Sequence, residues 1–274
     1  MLHGRMWGNL QMMTGTQVSK PRCVAFVPAR AGSKRVVNKS ISRLLHGQSL
    51  GFWTVIAAKA SGVFTDVYVS SQSDDPIMMD WIERSGAKFI KRPDEYGTDE
   101  SPDIEWLRHA LEVTPSVEAF SILRLTSPFR QPETIRRAWS KFSELGQSID
   151  SLRAVELVQQ HPGKMWTVVG DRLVPLLLQP EPQPWHSSQY KTLPQVWIQN
   201  ASLEIAWTRV VEETNTISGD VIAPFYTEGV EGFDINTELD MEIAQKMIVS
   251  GEAALPDACV YDYYRRKRWQ LIND

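Results

Sequence analysis

Continuous apolar segments alternate with amphipathic segments through the first half of the chain, and this alternation constrains the fold more than any other feature. The apolar runs are CVAFVP (23–28), DVYVSS (66–71) and AFSILRL (119–125). Runs of this kind are typical of strands buried on both faces of a sheet. Strands that alternate with helices of 10–15 residues predict βαβ units and a mainly parallel sheet flanked by helices, an α/β fold.

Three segments carry apolar residues at helical spacing, and two of them follow a proline that suits the first turn of a helix. In the second segment Ser101 is the predicted N-cap and Pro102 the first helical residue. The residues that recur at helical spacing are Leu50, Trp53, Ala57 and Ala60, then Ile104, Leu107 and Leu111, then Ile135, Ala138, Trp139 and Phe142.

The composition is that of a globular protein, with 42% hydrophobic and 23% charged residues in a chain of 274. A net charge of -4 argues against nucleic acid as a partner, because phosphate backbones select basic surfaces. No apolar run approaches the roughly 18 residues that a membrane span needs. Two cysteines form neither a disulfide framework nor a zinc cluster, and the N-terminal segment lacks a signal-peptide core. We therefore expect a cytoplasmic protein without membrane or nucleic-acid partners.

The chain divides into three parts by composition. Residues 1–21 have no periodicity and are predicted to be a flexible leader. The regular pattern continues over 22–250, where SLRAVELV, SLEIAW and DVIAPFY predict further strands and GFDINTELDMEIAQKMIV predicts a turn entering a closing helix. Residues 251–274 form a C-terminal tail that is aromatic and basic.

Residues 157–195 are rich in proline and contain two short apolar runs around Gly170 and Asp171. This pattern predicts an extended hairpin arm, inserted in the domain, that is too thin to bury its own apolar residues. The simplest partner for those residues is the same arm of a second subunit, which makes the chain a homodimer. The alternative is an arm that folds back on its own domain. The residues that need cover are Trp166, Leu176, Leu177 and Leu178.

The loop after the first strand concentrates positive charge. It contains Arg30, Lys34, Arg35 and Lys39 together with Gly32 and Ser33. In open α/β sheets ligands bind beyond the carboxyl ends of the strands, and a glycine-containing loop there can turn backbone N–H groups onto an anion. Four cations favour a di- or triphosphate over the alternative, a solvated basic loop. The loop matches neither the dinucleotide-binding nor the P-loop pattern.

Six segments occur in the order found in one enzyme family. PARAGSKRVVNKS (28–40) resembles the signature loop P-A-R-G-G-S-K-x-x-x-x-K-N of the CMP-sialic acid synthetases, or acylneuraminate cytidylyltransferases, which are related to the Kdo cytidylyltransferases. VYVSSQSDD, KRPDEYGTDESPD, LTSPFR, QHPGKMW and GFDINTELD are similar to the later motifs of that family. The resemblance extends over about residues 22–250.

The resemblance implies a Rossmann-like nucleotidyltransferase fold with a dimerisation arm. It also implies that CTP and a 2-keto-3-deoxy sugar acid react with Mg²⁺ to give a CMP-sugar and pyrophosphate. Arg30 and Lys39 match the loop cations of the family and would bind the phosphates, beside Lys34. Arg92 and Asp99 match a segment near the cytidine. The nucleotide would also be lined by Ala29, Ala31, Gly32 and Ser33.

Asp234 matches the first carboxylate of the metal motif of the family and joins Arg30 and Lys39 as an expected catalytic residue. A carboxylate next to a triphosphate suits Mg²⁺, which binds one or two carboxylates together with phosphate oxygens and waters. The second position of the motif is Asn236, which offers an oxygen without a charge. The same segment also reads as a helix cap at Asn236 or Thr237, and both interpretations can hold together.

Residues on the sugar side depart more from the pattern of the sialic acid enzymes. Arg124 replaces a glutamine at the end of a central strand, where a guanidinium needs a partner. It either forms a buried ion pair or binds the sugar carboxylate as a fork. The departures make a legionaminic- or pseudaminic-like acid, or a related ulosonate, at least as plausible as N-acetylneuraminic acid. His161 is expected to be structural, and the other expected sugar contacts are Thr126, Ser127, Arg130, Lys164, Gln189 and Asn200.

Two other functions remain compatible with the sequence. The first is a nucleotidyltransferase for a different base or acceptor, such as UTP and a sugar phosphate. The second is a nucleotide-binding homologue without turnover, which the change to Asn236 and the altered sugar side would permit.

Overall fold

The computed structural model describes residues 21–30, 45–181 and 183–258. Most of the predicted leader and the end of the predicted tail lie outside these residues. The same holds for Ala31, Gly32, Ser33, Lys34 and Lys39 of the basic loop.

A seven-stranded sheet of order β3-β2-β1-β4-β8-β5-β9 forms the centre of the protein. Strands β1 to β4 pair in parallel, β8 runs antiparallel to both of its neighbours, and β9 pairs in parallel with β5. The predicted mixed, mainly parallel sheet is therefore confirmed. The strands are β1 Cys23–Pro28, β2 Val67–Ser71, β3 Lys88–Lys91, β4 Ala119–Ile122, β5 Ser151–Leu157, β8 Trp197–Trp207 and β9 Ile222–Tyr226.

Helices cover both faces of the sheet because the central strands are apolar on both sides. Cys23, Ala25 and Val27 of β1 belong to one core cluster, whereas Val24 and Phe26 belong to another. The first cluster includes residues of α1, α2, α4 and α6, and the second includes residues of α3 and α5. The helices are α1 Leu50–Ser61, α2 Pro76–Ser85, α3 Asp103–Glu112, α4 Pro132–Leu145, α5 Arg209–Thr214 and α6 Glu238–Ser250.

Two predicted boundaries differ from the structure. Helix α3 has Pro102 at its N-cap, and no side chain caps it. The hydroxyl of Ser101 instead donates to Glu105 at 2.6 Å, so the predicted cap is wrong by one residue. Strand β4 ends at Ile122 rather than at residue 125, and the chain then leaves the sheet. This early exit matters because it places Arg124 in a loop beyond the edge of the sheet.

The predicted hairpin is present, with β6 Trp166–Val169 paired antiparallel to β7 Arg172–Pro175 as a separate two-stranded sheet. Gly170 forms the turn with φ +58°, a conformation that glycine adopts without strain. The side chains of the hairpin are exposed in the single chain, including Val168 at 73% and Leu178 beyond it at 97%. Across the described ranges, no helix is both long and apolar enough to cross a membrane.

Candidate active site

Three arginines follow the carboxyl ends of the parallel strands, so they meet at one edge of the sheet. Arg30 follows β1, Arg92 follows β3 and Arg124 follows β4. They fall into two neighbouring groups. Arg30, Arg92 and Asp99 form what we call the arginine cluster, and Arg124 lines a separate cavity that we call the charged pocket.

The arginine cluster brings together three predicted nucleotide-binding residues. Arg30 donates to the carbonyl oxygen of Thr98 at 2.7 Å and forms an ion pair with Asp99. Arg92 is buried and donates to the amide oxygen of Gln72 at 3.3 Å. Desolvation, followed by repulsion from Arg30, lowers the pKa of Arg92 to about 10. Arg92 therefore stays protonated at neutral pH, and the two cations together favour an anion.

A short 3₁₀ turn, Asp94–Gly97, holds the arginine cluster against the end of β2. The amide of Gln72 donates to the carbonyl oxygen of Gly97 at 3.4 Å, and its oxygen accepts from Arg92. A Cβ on Gly97 would lie only 2.5 Å from the Cδ of Gln72. A larger residue here would therefore displace the Gln72 side chain, which accepts from Arg92.

Ala29 connects β1 to the basic loop. Its side chain is fully buried, and its N–H donates to the carbonyl oxygen of Ser70 at 2.9 Å, which extends the pairing of β1 with β2. The chain leaves the sheet after Ala29, and Arg30 begins the loop.

The charged pocket has a volume of about 570 Å³ and lies where β4, β5 and β8 meet. Four carboxylates and two guanidinium groups face it, which is an unusual concentration of charge for strands that are otherwise apolar. Arg124, Asn200 and Asp234 are the predicted site residues in its wall. The other lining residues are Asp103, Arg153, Glu156, Ile198, Gln199, Ala201, Glu204, Ile217, Gly232 and Phe233.

Arg124 pairs with two carboxylates, Asp103 at the first residue of α3 and Glu204 on β8. Its guanidinium forms a two-point ion pair with Asp103 and a further contact with Glu204 at 3.2 Å. Burial raises the pKa of Asp103, but the hydrogen bonds and charge of Arg124 outweigh this effect and leave that pKa below its ordinary value. Arg124 thus forms the ion pair that the first interpretation of the sequence predicted. It also lines the pocket, as the second interpretation, binding of a sugar carboxylate, requires.

The sequence interpretation missed several residues of the charged pocket because they lie within strands. Arg153 of β5 donates to Gln199 at 2.6 Å and to Glu204 at 2.7 Å. Glu156 accepts from the amide of Asn200 at 3.1 Å and lies so close to Gly232 that a side chain there would collide with it. Charged residues inside the otherwise apolar strands SLRAVEL and SLEIAW are the feature that marks these positions in the sequence.

Three other predicted sugar contacts, Arg130, Thr126 and Ser127, do not line the charged pocket. Arg130 is fully buried and donates to the backbone carbonyl oxygens of Ser202 and Arg124, so its side chain faces the backbone in this structure. The carbonyl oxygen of Thr126 accepts from the N–H of Ile235 at 2.9 Å, which ties the loop after β4 to the segment that contains Asp234. Ser127 is also buried.

Asp234 precedes the closing helix α6 and has one carboxylate oxygen without a hydrogen-bond partner among the described residues. Its Oδ2 accepts from the amide nitrogen of Asn236 at 2.5 Å, whereas its Oδ1 is buried and has no hydrogen-bond partner among the described residues. An orphaned carboxylate oxygen fits a divalent cation. The described residues contain no cluster of three carboxylate, histidine or cysteine ligands, so a cation here would depend on phosphate oxygens and water as well.

The segment after Asp234 also forms the predicted helix cap. Thr237 is the N-cap of α6, and its hydroxyl accepts from the N–H of Asp240 at 3.2 Å. The carboxylate of Asp240 in turn accepts from the N–H of Thr237 at 2.7 Å, and the two hydrogen bonds form a capping box. The cap fixes the backbone immediately after Asp234, so capping and cation binding can hold together.

The predicted site residues of the arm do not line the charged pocket of their own chain. Lys164 donates to the carbonyl oxygen of Ser188 at 2.6 Å and lies over the ring of Tyr190. Gln189 is the N-cap of a short 3₁₀ turn. His161 is structural, as expected: its Nδ1 accepts from the N–H of Gly163 and its Nε2 donates to the carbonyl oxygen of Pro194.

Comparison with known proteins identifies the family of this chain. Residues 24–164, more than half of the chain, match the sequence profile of the cytidylyltransferase family. The chain belongs to the cytidylyltransferase family. The resemblance inferred from the six motifs is therefore confirmed.

Two named relatives show how far the similarity extends along this cytidylyltransferase. It is 34% identical over 126 residues to an N-acylneuraminate cytidylyltransferase of Escherichia coli O18:K1:H7, which covers 46% of this chain and 29% of that protein. It is 29% identical over 240 residues to a CMP-N,N'-diacetyllegionaminic acid synthase of Legionella pneumophila, which covers 85% of this chain and 99% of that protein. The chain thus spans under a third of the first relative and nearly all of the second.

Solved structures share the fold of this cytidylyltransferase at low sequence identity. A CMP:2-keto-3-deoxy-manno-octonic acid synthetase complexed with CTP superimposes with a TM-score of 0.59 at 13% identity, covering 84% of this chain and 99% of that one. A 4-diphosphocytidyl-2C-methyl-D-erythritol synthase from Anaerococcus prevotii superimposes with a TM-score of 0.58 at 10% identity, covering 83% and 98%. Both establish the Rossmann-like fold.

Proposed function

We propose that this cytidylyltransferase transfers CMP from CTP to the 2-hydroxyl of a 2-keto-3-deoxy sugar acid and releases pyrophosphate. The observation that carries the proposal is the adjacency of the arginine cluster and the charged pocket. Asp103 lies between them. It forms an ion pair with Arg124 on the pocket side, and its negative charge raises the pKa of Arg92 on the other side. A nucleotide site and an acceptor site that share a wall are what a direct transfer requires.

In the proposed reaction the anomeric 2-hydroxyl oxygen forms a bond with the α-phosphorus of CTP. The bond from that phosphorus to the bridging oxygen of the β-phosphate breaks, pyrophosphate leaves, and the hydroxyl proton passes to solvent. Arg30 would neutralise charge on the phosphates, together with Lys39 of the basic loop, so that the developing negative charge is stabilised. Asp234, with Asn236 as its neighbour, would hold Mg²⁺, which supplies further charge neutralisation when it is bound.

For the acceptor, we favour a nine-carbon sugar acid of the legionaminic type. The relative that matches nearly end to end is named for N,N'-diacetyllegionaminic acid. Arg124 offers a guanidinium for the sugar carboxylate. Glu156, which is held by Asn200, offers carboxylate oxygens for hydroxyl and amide donors at the other side of the pocket.

We also propose a homodimer formed through the arm, since its apolar side chains are exposed in a single chain and adjacent exposed apolar side chains favour a partner. Lys164 and Gln189 lie on this arm and would then reach the sugar site of the second subunit. Because the substrate is a nucleoside triphosphate, we place the enzyme in the cytoplasm.

Thermal unfolding with CTP, UTP, ATP or GTP, each with Mg²⁺, tests the nucleotide part of the proposal. A ligand that binds only the folded protein must raise the midpoint of unfolding. We expect CTP to give the largest shift. A larger shift with another nucleotide would replace CTP in the proposal, and CTP binding without pyrophosphate release for any sugar acid would leave a nucleotide-binding protein without turnover.

A further inference from the structure

Strand β8 is irregular where it passes the charged pocket. Its pairing with β5 joins Glu204 to Arg153 and then resumes at Gln199 with Val155, while its pairing with β4 ends at Glu204. Residues 200–203 therefore form a bulge outside both ladders. A bulge re-aims the side chains around it but leaves backbone groups that need other partners.

Two side chains supply those partners. The N–H of Ser202 donates to the side-chain oxygen of Asn200 at 3.2 Å. The carbonyl oxygen of Ser202 accepts from the Nη1 of Arg130. Both Nη atoms of Arg130 also lie 3.3 Å from the carbonyl oxygen of Arg124, where the chain has just left β4. One guanidinium therefore ties the loop that carries Arg124 to the bulge that carries Asn200.

Burying the charged side chain of Arg130 costs free energy of desolvation. Its side chain is fully buried, and no carboxylate of the described residues forms an ion pair with it. Burial alone lowers its pKa to about 9, so the guanidinium remains charged at neutral pH. Buried cations without an ion-pair partner are rare in proteins, because no opposite charge offsets the free energy of desolvation. Its fork geometry, which reaches two carbonyl oxygens in different segments, is the property that a neutral side chain lacks.

We propose that Arg130 is a positioning residue for the acceptor site, which fixes Arg124 and the β8 bulge relative to each other so that the sugar carboxylate meets Arg124. The proposal rests on the proposed function and deepens it. It assigns to Arg130 an indirect role, in place of the direct sugar contact that the sequence suggested.

The test compares Arg130→Lys and Arg130→Met with the wild-type full-length protein. Lysine keeps the charge but can reach only one carbonyl oxygen, whereas methionine keeps the bulk and loses both bonds. With CTP and N,N'-diacetyllegionaminic acid, we expect the KM for the sugar acid to rise about tenfold in the lysine variant and further in the methionine variant, with the KM for CTP within about twofold of wild type. Arg209→Lys, at the opposite end of the sheet, is the matched control and should change neither KM.

Hydrogen exchange gives a readout that does not depend on turnover. In Arg130→Met, peptides covering 123–128 and 198–204 should exchange faster by about tenfold, while peptides from β1 stay protected. Equal changes in both KM values, or unchanged exchange in these two segments, would overturn the positioning role. If wild type turns over no sugar acid, the proposed function fails, and the exchange result alone then decides whether Arg130 joins the two segments.

Discussion

Glu204 lines the charged pocket and accepts hydrogen bonds from two arginines, Arg124 and Arg153. One of its oxygens accepts from Arg124 at 3.2 Å, and the other accepts from Arg153 at 2.7 Å. The arrangement joins the loop after β4 to β5 and β8 through a single carboxylate. It also means that neither guanidinium in the pocket depends on substrate for its position.

Glu204→Gln should lower the free energy of unfolding by about 2 kcal/mol, because it leaves Arg153 without a charged partner in a partly buried site. Glu213→Gln is the matched control, since Glu213 also pairs with an arginine but is 60% exposed rather than 14%. The control should change stability by less than about 0.5 kcal/mol. Urea denaturation measures both, and equal losses would contradict the assigned role of Glu204.

Arg30→Ala should reduce turnover by about 100-fold or more, because it removes a cation assigned to the phosphates. Arg22→Ala is the control: Arg22 pairs with Glu118 on the surface, where both side chains are 58% exposed. Pyrophosphate release reports activity, and light scattering after size-exclusion chromatography should show the same dimer for both variants. Near-normal turnover in Arg30→Ala would remove Arg30 from the active site.

Asn236→Asp should lower the Mg²⁺ concentration needed for half-maximal activity, because it adds a second carboxylate beside Asp234. Asp234→Asn should raise that concentration, since it removes the only charged ligand that the described residues offer at this point. A magnesium titration of the initial rate measures both changes. An identical magnesium dependence in the two variants and wild type would place the metal elsewhere.

The ion pair of Asp103 with Arg124 should contribute stability that depends on pH. Because the folded-state pKa of Asp103 is below its ordinary value of about 3.9, the contribution is present above that pH and is lost as the pH falls through the folded-state pKa. Asp103→Asn should therefore destabilise the protein at pH 7 and have a progressively smaller effect toward pH 3. Asp74→Asn, which alters an exposed ion pair with Lys91, should have little effect. A constant difference across this range would contradict the assignment.

The sequence predicted the central fold well because buried parallel strands and amphipathic helices have distinct patterns. The resemblance assigned Arg30, Arg92 and Asp99 to one nucleotide site, but the ion pair of Arg30 with Asp99 was not predicted, because it depends on how the loop after β3 folds back on β1. The wall of the charged pocket was harder to predict. Arg153 and Glu204 lie in strands that look apolar, and they become neighbours only through the antiparallel pairing of β8, which no local pattern specifies.

Arg130 shows a different limit. Its place after TSPF puts it near the sugar site, but the direction of its side chain depends on where β4 ends and where β8 bulges. Both are tertiary features, because they follow from which strands pair and which backbone groups are left without partners.

The transfer of CMP to a sugar acid can be tested by initial rates of pyrophosphate release with N,N'-diacetyllegionaminic acid and Mg²⁺, measured with CTP and with UTP. We expect release with CTP that requires the sugar acid, gives the CMP-sugar in equal amount, and is at least about tenfold slower with UTP. Release that is independent of the sugar acid, or faster with UTP, would contradict the transfer of CMP from CTP to a sugar acid.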